Sequence, residues 1–307
     1  LNRKIADGGM GAIYEAQQFG AEGFIKRVAI KTILPKFAQR ESLIAAFVGE
    51  ARLVANLVHQ NIVQIHHLGR HEGGYYIAME YINGLTLTNL MAMHVMLTRQ
   101  VPVDLAMFIV SRIARGLEYA HNKHDSDGSP LNLVHRDVSP NNIMIDVEGE
   151  VKLTDFGVAK ASQFMREEEG ELVGCVEFMS PEQARCDAVD ARSDVFSLGL
   201  VFYELLTGTR LFRCEDGDVA RAIEAVELAS VPDARRYRPE IPDSVAEIVS
   251  LMLRKHPDDR YQSAGALSRA LEENMYGGGY GPTVVKLATY VDELTRQTME
   301  LKLGVVY

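Results

Sequence analysis

The chain has 307 residues, 47% of them hydrophobic and 24% charged, which is typical of a globular protein with room for two core-bearing lobes. Its net charge of −10 argues against a nucleic-acid-binding protein, because phosphate backbones attract clustered lysine and arginine; a basic peptide would suit it better. No apolar run is long enough to span a membrane, so we expect no membrane contact in this segment.

The cysteines and histidines give no sign of a metal site or a disulfide framework. The three cysteines lack metal-binding spacing: Cys175, Cys186 and Cys214. Four histidines lack a supporting cluster and are assigned packing or surface roles: His66, His67, His121 and His124. Sparse cysteines are typical of a reducing compartment, and no signal peptide is recognisable, so we expect a cytoplasmic chain.

A glycine-rich stretch, "ADGGMGAIYEA", stands near the start of the chain. We predict a hairpin turn between two strands here, with glycines at three positions: Gly8, Gly9 and Gly11. Because glycine has no Cβ atom, such a turn can bring backbone N–H groups close to phosphate oxygens. Taken alone, the pattern fits a purely structural turn equally well.

The next segments predict a strand followed by a helix. In "RVAIKTI", Ala29 and Lys31 share one face of a half-buried strand. In "ESLIAAFVGEARLVANLV", apolar residues recur at helical spacing up to Val58, and Glu50 lies on the same core-facing stripe. A buried carboxylate needs a cation, so we predict that Glu50 pairs with Lys31.

The remaining pattern divides the chain into three parts. The segment "YYIAMEYINGLTL" predicts a strand that ends in a glycine-containing connector, after which helical periodicity dominates. "SDVFSLGLVFYELLTG" is apolar almost all round and predicts a fully buried helix that begins at Asp194 and ends at Gly208. We therefore predict an N-terminal lobe, a C-terminal lobe, and a glycine-rich linker with a terminal helix: residues 1–82, 83–275 and 276–307.

Five groups that suit phosphoryl transfer follow in order along the chain. Lys31, held by Glu50, can orient phosphates. Asp137, in "LVHRDVSPNNIMID", can accept the proton of an attacking hydroxyl. Asn142 in the same stretch and Asp155 in "DFG" offer the oxygen ligands that Mg²⁺ prefers. The ordered set predicts this chemistry far more specifically than any single motif.

These blocks, together with "HQNIVQI", "FMSPEQ" and "PDDRYQSA", resemble bacterial protein kinases of the eukaryotic-like Ser/Thr type over residues 5–275. The resemblance implies an α+β, bilobal fold with a small β-rich lobe and a larger helical lobe. It also implies ATP and Mg²⁺ bound between the lobes and phosphorylation of Ser or Thr hydroxyls in a protein substrate. A small-molecule phosphotransferase shares the base, amide and metal pattern but lacks the peptide-docking blocks "FMSPEQ" and "SDVFSLG".

The resemblance assigns roles to individual residues. Adenine would bond to the backbone of the connector around Glu80 and Ile82. It would lie against apolar side chains, with Met79 as the gatekeeper: Ile13, Ala29, Met79 and Met144. Arg260 would pair with Glu182, and Asp194 would hold the backbone of the catalytic loop. A stack that links the lobes would consist of four side chains: Val54, Ile65, His135 and Phe156.

Two departures from the family's pattern bear on catalysis. Ser139 stands where the family has a lysine, and Cys175 stands where it has a threonine. The two could still make a short polar contact beside Asp137, and we count Ser139 with the catalytic residues. The lost positive charge should weaken electrostatic stabilisation. An ATP-binding pseudokinase that acts as an allosteric scaffold is therefore the alternative to a working kinase.

The segment that follows "DFG" carries permanent negative charge. Residues 163–179 contain no Ser, Thr or Tyr that could be phosphorylated. Phosphorylation adds negative charge, and three consecutive carboxylates offer it instead: Glu167, Glu168 and Glu169. One of them would pair with Arg136 and keep the segment ordered without phosphorylation. The alternative is a solvated acidic loop.

The C-terminal run "TVVKLATYVDELTRQTMELKL" predicts an amphipathic helix. Its apolar residues form one stripe: Val284, Leu287, Val291, Leu294 and Leu301. Such a stripe predicts either docking against the chain's own lobe, or a contact with a second copy or another partner.

Overall fold

The structure is a computed structural model of the chain. It describes residues 1–7, 11–34, 40–72, 74–156, 176–213, 219–228 and 231–304. Within these ranges it describes only the backbone of residues 7, 42, 46, 50, 219, 220, 228, 303 and 304. A β-rich N-terminal lobe is followed by a helical C-terminal lobe, so the predicted α+β, bilobal fold is confirmed.

The N-terminal lobe contains five strands and one long helix. The strands are β1 (Arg3–Asp7), β2 (Gly11–Phe19), β3 (Ile25–Ile33), β4 (Ile65–His71) and β5 (Gly74–Glu80). They form one antiparallel sheet in the order β1-β2-β3-β5-β4. Helix α1 (Glu41–Val54) connects β3 to β4 along the chain.

The register of β3 with its two neighbours sets one face of this sheet. Ile13 of β2 lies opposite Lys31, and Met79 of β5 lies opposite Ala29. Ala29 and Lys31 are two residues apart and therefore point to the same side of the strand. The lysine and three of the apolar side chains predicted to hold a nucleotide thus share one face.

Helix α1 packs its apolar stripe against the sheet, with Phe47 and Ala51 in one buried cluster with Ile77 of β5. The predicted helix continued to Val58, but α1 ends at Val54 and the chain turns. Val58 is 63% exposed, and its N–H donates to the Tyr119 hydroxyl at 3.3 Å. The placement of Val58 on the core stripe is wrong, because the apolar periodicity continues past the end of the helix.

The C-terminal lobe is mainly helical. A short antiparallel sheet has the order β6-β7-β8 and consists of β6 (Gly84–Thr86), β7 (Ile143–Asp146) and β8 (Val151–Leu153). The described helices are α2 (Leu87–Met96), α3 (Val103–His121), α4 (Pro181–Ala184), α5 (Ala191–Thr207), α6 (Val219–Leu228), α7 (Asp243–Met252), α8 (Ala264–Tyr276) and α9 (Val284–Gly304). None of these helices combines the length and apolarity that a membrane span requires.

Helix α5 forms the centre of this lobe, with every residue from Ser193 to Thr207 buried. It begins three residues before the predicted start at Asp194, because the Asp190 side chain accepts a hydrogen bond from the Arg192 N–H and caps the helix. Gly208 adopts a left-handed conformation with φ +69° and ends the helix where the sequence predicted.

The terminal helix α9 docks on its own lobe. Three residues of the predicted stripe are buried in the same core cluster as the helices of the C-terminal lobe: Leu287, Val291 and Leu294. The Tyr290 hydroxyl lies 2.8 Å from His94 Nε2 on α2. Leu301, at the far end of the stripe, is exposed. The structure thus shows the first of the two predicted roles, and association with a second copy stays a prediction.

Docking of α9 can be tested with two neighbouring positions. Leu287 is fully buried, so Leu287→Ala should lower the free energy of unfolding by about 2–5 kcal/mol. Val285 is 68% exposed, and Val285→Ala should change the free energy of unfolding by less than about 0.5 kcal/mol. Urea unfolding followed by circular dichroism measures both variants. Equal, small effects would contradict the docked helix, and a stability that rises with protein concentration would indicate association instead.

Candidate active site

The catalytic loop runs between α3 and β7 and brings two predicted site residues into contact. Asn142 Nδ2 donates hydrogen bonds to the Asp137 backbone oxygen and to Asp137 Oδ2, both at 2.8 Å. The amide nitrogen therefore orients the carboxylate of Asp137. Because the nitrogen is used in this way, the carbonyl oxygen of Asn142 is the atom left to bind a cation.

A buried carboxylate holds the backbone of this loop. Asp194 Oδ2 accepts a hydrogen bond from the His135 N–H, and Oδ1 accepts one from the Arg136 N–H, each at 2.8 Å. His121 Nε2 lies 2.7 Å from Oδ2. Arg136 has a φ of +68°, a left-handed conformation that costs about 1–3 kcal/mol and persists only where the surroundings enforce it. Asp194 supplies that enforcement from the most buried helix of the lobe.

The charge state of Asp194 follows from its neighbours. Burial has the largest single effect and raises the pKa of Asp194. The hydrogen bond from His121 has the largest opposing effect, and electrostatic interactions with His121 and His135 and the His135 N–H act in the same direction, so that together they outweigh burial. The pKa of Asp194 therefore lies below its ordinary range, and the carboxylate stays ionised while it holds the loop.

Lys31 and Asp155 meet across the cleft between the lobes. Lys31 Nζ lies 2.6 Å from Asp155 Oδ1, and the two side chains are 14% and 21% exposed. Asp155 has a φ of +60°, and the preceding Thr154 N–H donates to the Asn142 backbone oxygen at 2.9 Å. The Glu50 side chain lies outside the described atoms, so its pairing with Lys31 stays a prediction.

One contact of the stack predicted to link the lobes is present. The rings of His135 and Phe156 meet edge to face with centroids 4.5 Å apart. Phe156 lies in one buried cluster with Val54 of α1, and Ile65 of β4 packs against that cluster. His135 Nε2 also lies 2.9 Å from the Thr154 backbone oxygen. Phe156 therefore contacts His135 within a core to which side chains of both lobes contribute, and the predicted contacts of Val54 and Ile65 in the stack stay a prediction.

The residues predicted to bind adenine lie around the connector between the lobes. Ala29 and Met79 are buried, and Met144 lies half-buried on β7. The Glu80 carboxylate is 2.9 Å from Lys152 Nζ on β8, and Ile82 packs against the cluster of the N-terminal lobe. A contact with adenine at these positions stays a prediction.

Of the predicted glycines, Gly11 is described, and Gly8 and Gly9 lie outside the described residues. A Cβ atom at Gly11 would stand 2.6 Å from the Thr32 backbone oxygen. The close pairing of β2 and β3 therefore requires glycine at this position. Its approach to phosphate stays a prediction.

Ser139 lies inside the catalytic loop and is 1% exposed. Its backbone oxygen accepts a hydrogen bond from the Asn142 N–H at 3.0 Å, in the short turn that carries Asn142. Cys175 and the three glutamates at 167–169 lie outside the described residues, and so do the contacts predicted for them. The catalytic loop therefore keeps its turn and the contact of Asn142 with Asp137, although a small, buried serine stands where the family has a lysine.

The segment after residue 175 is attached to the catalytic loop and to the core. Gln183 Nε2 donates to the Arg136 backbone oxygen at 2.8 Å. The predicted pair of Arg260 and Glu182 is present: Arg260 Nη1 and Nη2 donate to the two carboxylate oxygens at 2.7 and 2.8 Å. Burial raises the pKa of Glu182, but the hydrogen bonds from Arg260 and Ser193 outweigh it and leave this pKa below its usual range.

Two features of this region were not predicted from the sequence. His121 was assigned a packing or surface role, yet it is the side chain that neighbours the Asp194 carboxylate. Its position at the last residue of α3, the helix that precedes the catalytic loop in the chain, is the signal that could have indicated this. A cluster of Glu177, Glu204 and Arg210 carried no motif and could not be found from the sequence.

The sequence matches the protein kinase domain family over residues 1–271. The chain belongs to the protein kinase family. The kinase is 40% identical over 287 residues to Tyrosine-protein kinase MasK of Myxococcus xanthus (strain DK1622), which covers 92% of this chain and 44% of that protein. It is 37% identical over 264 residues to Serine/threonine-protein kinase PrkC of Bacillus subtilis (strain 168), with 85% of this chain and 38% of that protein covered.

Solved structures agree with the family. The crystal structure of the Mycobacterium tuberculosis PknI kinase domain has a TM-score of 0.65 and 26% sequence identity, and the match covers 88% of this chain and 93% of that one. The chain spans less than half the length of the two curated relatives above. The comparisons therefore concern the kinase domain and not the remainder of those proteins.

The role of Asp194 can be tested by Asp194→Asn. Removing the charge leaves two loop N–H groups and His121 without their anionic partner, and the free energy of unfolding should fall by about 3–5 kcal/mol at pH 7. Asp187 forms an exposed ion pair with Arg185, and Asp187→Asn should change the free energy of unfolding by less than about 1 kcal/mol. Urea unfolding measures both.

The loss of unfolding free energy caused by Asp194→Asn should change with pH in one definite direction. The pKa of Asp194 is lowered on folding, so its contribution is complete above the unfolded value of about 3.9 and is lost as the pH falls through the folded value. The stability difference between the native chain and Asp194→Asn should therefore shrink in acid. A difference that grows below pH 4 would contradict this assignment.

Proposed function

We propose that this kinase transfers the γ-phosphoryl group of Mg-ATP to a hydroxyl group of a protein substrate. The observation that carries the proposal is the convergence of Lys31 with Asp155 across the cleft and of Asn142 with Asp137 in the catalytic loop. Asp137, oriented by the Asn142 amide, would accept the proton of the attacking hydroxyl. Lys31, with Glu50, would hold the phosphates in position.

The side chains at the cleft fit Mg-ATP. Mg²⁺ prefers oxygen ligands and is usually held by one or two carboxylates together with substrate phosphates. Asp155 offers a carboxylate, and the Asn142 carbonyl oxygen is left over once the amide nitrogen binds Asp137. When bound, Mg-ATP supplies the phosphoryl group and the cation that neutralises its charge. Adenine would lie against four apolar side chains and bond to the backbone around Glu80 and Ile82: Ile13, Ala29, Met79 and Met144.

We infer that the acceptor is a Ser or Thr hydroxyl. Several curated relatives support this by name, including PrkC at 37% identity and Serine/threonine-protein kinase PknA of Mycobacterium tuberculosis at 33%. A tyrosine hydroxyl is the second candidate. It is favoured by the 40% identical relative named a tyrosine-protein kinase and by Ser139, which replaces the lysine that accompanies Ser/Thr transfer in the family.

Two further proposals concern the charge of the protein substrate and the location of the kinase in the cell. The net charge of −10 favours a basic protein substrate, through electrostatic attraction to an acidic surface. Cytoplasmic localisation suits both an ATP-dependent enzyme and a chain with few cysteines.

The central prediction of this function is the effect of Asp137→Asn. Loss of the base should lower kcat for peptide phosphorylation by about 10²–10⁴-fold, because general-base catalysis contributes on that scale. Mass spectrometry of the products will show whether Ser, Thr or Tyr is modified. Asp187→Asn, at an exposed ion pair, serves as the control and should leave kcat unchanged. ATP binding by the native chain without any transfer would indicate the pseudokinase alternative.

The acidic run at 167–169 predicts activity without phosphorylation of this segment. Replacing Glu167, Glu168 and Glu169 together by Gln keeps their size and removes their charge. If one of them pairs with Arg136, kcat/KM should fall by about tenfold, the effect of roughly 1.5 kcal/mol for a hydrogen bond to a charged group. An equal fall in the triple Ala variant would show that the loss of charge, and not the loss of side-chain size, lowers kcat/KM. Unchanged kcat/KM in both variants would leave the run as a solvated acidic loop.

A further inference from the structure

Three charged side chains meet beside the segment attached to the catalytic loop: one from that segment, one from α5 and one from the loop that directly follows α5. Arg210, in the loop after α5, lies with Nε and Nη2 at 3.0–3.2 Å from the Glu204 carboxylate. Its Nη1 lies 2.5 Å from Glu177 Oε2. The guanidinium also stacks over the Phe178 ring, 5.1 Å from its centroid. One arginine therefore occupies a site formed by two carboxylates and an aromatic face.

This site is within reach of a substrate bound at Asp137. Glu177 stands six residues before Gln183, whose amide donates to the backbone oxygen of Arg136 next to Asp137. Six residues span at most about 21 Å, and an extended substrate peptide covers the same distance in a similar number of residues. A peptide with its hydroxyl at Asp137 can therefore place a side chain up to about six residues from that hydroxyl at the cluster.

The cluster is partly exposed to solvent. The side chains of Arg210, Glu177 and Glu204 are 31%, 17% and 11% exposed. Paired carboxylates next to an aromatic ring are the chemistry that binds a guanidinium by charge-assisted hydrogen bonds and stacking. The groups that hold Arg210 are thus the groups that would hold an arginine of a substrate.

We propose that Arg210 is a built-in occupant of an acidic substrate subsite formed by Glu177, Glu204 and Phe178. With Arg210 in place, the kinase does not select a basic side chain at the matching substrate position. Removal of Arg210 opens the subsite and creates a preference for arginine there. The inference rests on the proposed phosphorylation of a protein substrate and adds a determinant of which protein it is.

A purely structural ion pair predicts something different. If Arg210 only fixed the segment 176–178 to α5, its removal would weaken every substrate to the same extent. An occupied subsite instead predicts a gain that is confined to one substrate position and depends on Glu204. Removal of Arg210 therefore lowers kcat/KM for all peptides if the ion pair is purely structural. It raises kcat/KM for arginine at one substrate position if Arg210 occupies a subsite.

The test uses the native chain, Arg210→Ala, Arg210→Lys and the double variant Arg210→Ala/Glu204→Gln. Peptides copied from a mapped phosphosite carry arginine in turn at each position on either side of the acceptor. We expect Arg210→Ala to raise kcat/KM about tenfold, or about 1.4 kcal/mol, for arginine at one position. Arg210→Lys, which keeps the charge, and the double variant, which removes one carboxylate, should show no such gain.

A second readout separates this proposal from the proposed function. Fluorescence anisotropy on an Asp137→Asn background measures peptide affinity without turnover, so the subsite is tested even if the native chain transfers no phosphate. If Arg210→Ala does not fold, Arg210→Met keeps the aliphatic stem over Phe178 and replaces it. A uniform loss for all peptides, an unchanged profile, or a gain that survives Glu204→Gln would each overturn the proposal.

Discussion

The hydrogen bonds from the catalytic loop to the buried Asp194 carboxylate are the interaction on which the rest of the site depends. Asp194 lies in the first turn of α5, the most buried helix of the C-terminal lobe. Its two oxygens fix consecutive N–H groups, those of His135 and Arg136, and thereby enforce the left-handed backbone at Arg136. Asp137 is the next residue, so its backbone position is fixed by a loop that is held from the buried helix α5.

The same fixed loop organises what surrounds it. The Arg136 backbone oxygen accepts the Gln183 amide, which places the segment after residue 175 against the loop. The His135 ring meets Phe156, which ties the loop to the residue after Asp155. Phe156 lies in the same buried cluster as Val54 of α1 in the other lobe. Backbone pairing of Asn61 and Val63 with Leu153, at 2.9 Å, joins the N-terminal lobe to β8. Lys31 and Asp155 therefore meet across a cleft whose two sides are connected.

The sequence predicted the chemical groups and the general fold because both depend on local pattern. Alternation placed Ala29 and Lys31 on one face of β3, and the apolar run predicted α5 and its end at Gly208. Boundaries were less certain, as the predicted extension to Val58 shows, because tertiary contacts and caps end a helix before its periodicity ends. His121 and Asp194 are 73 residues apart, and no local rule joins them. Arg210 and Glu177 are likewise 33 residues apart.

The most direct test of this account is whether the purified chain transfers the labelled γ-phosphoryl group of ATP to itself or to a basic protein, with Mg²⁺ and after its removal by a chelator. We predict transfer in the presence of the cation, and loss of transfer when the cation is removed, because Asp155 and Asn142 are proposed to hold Mg²⁺ at the phosphates. ATP binding that stabilises the fold without any transfer, in either condition, would contradict this prediction.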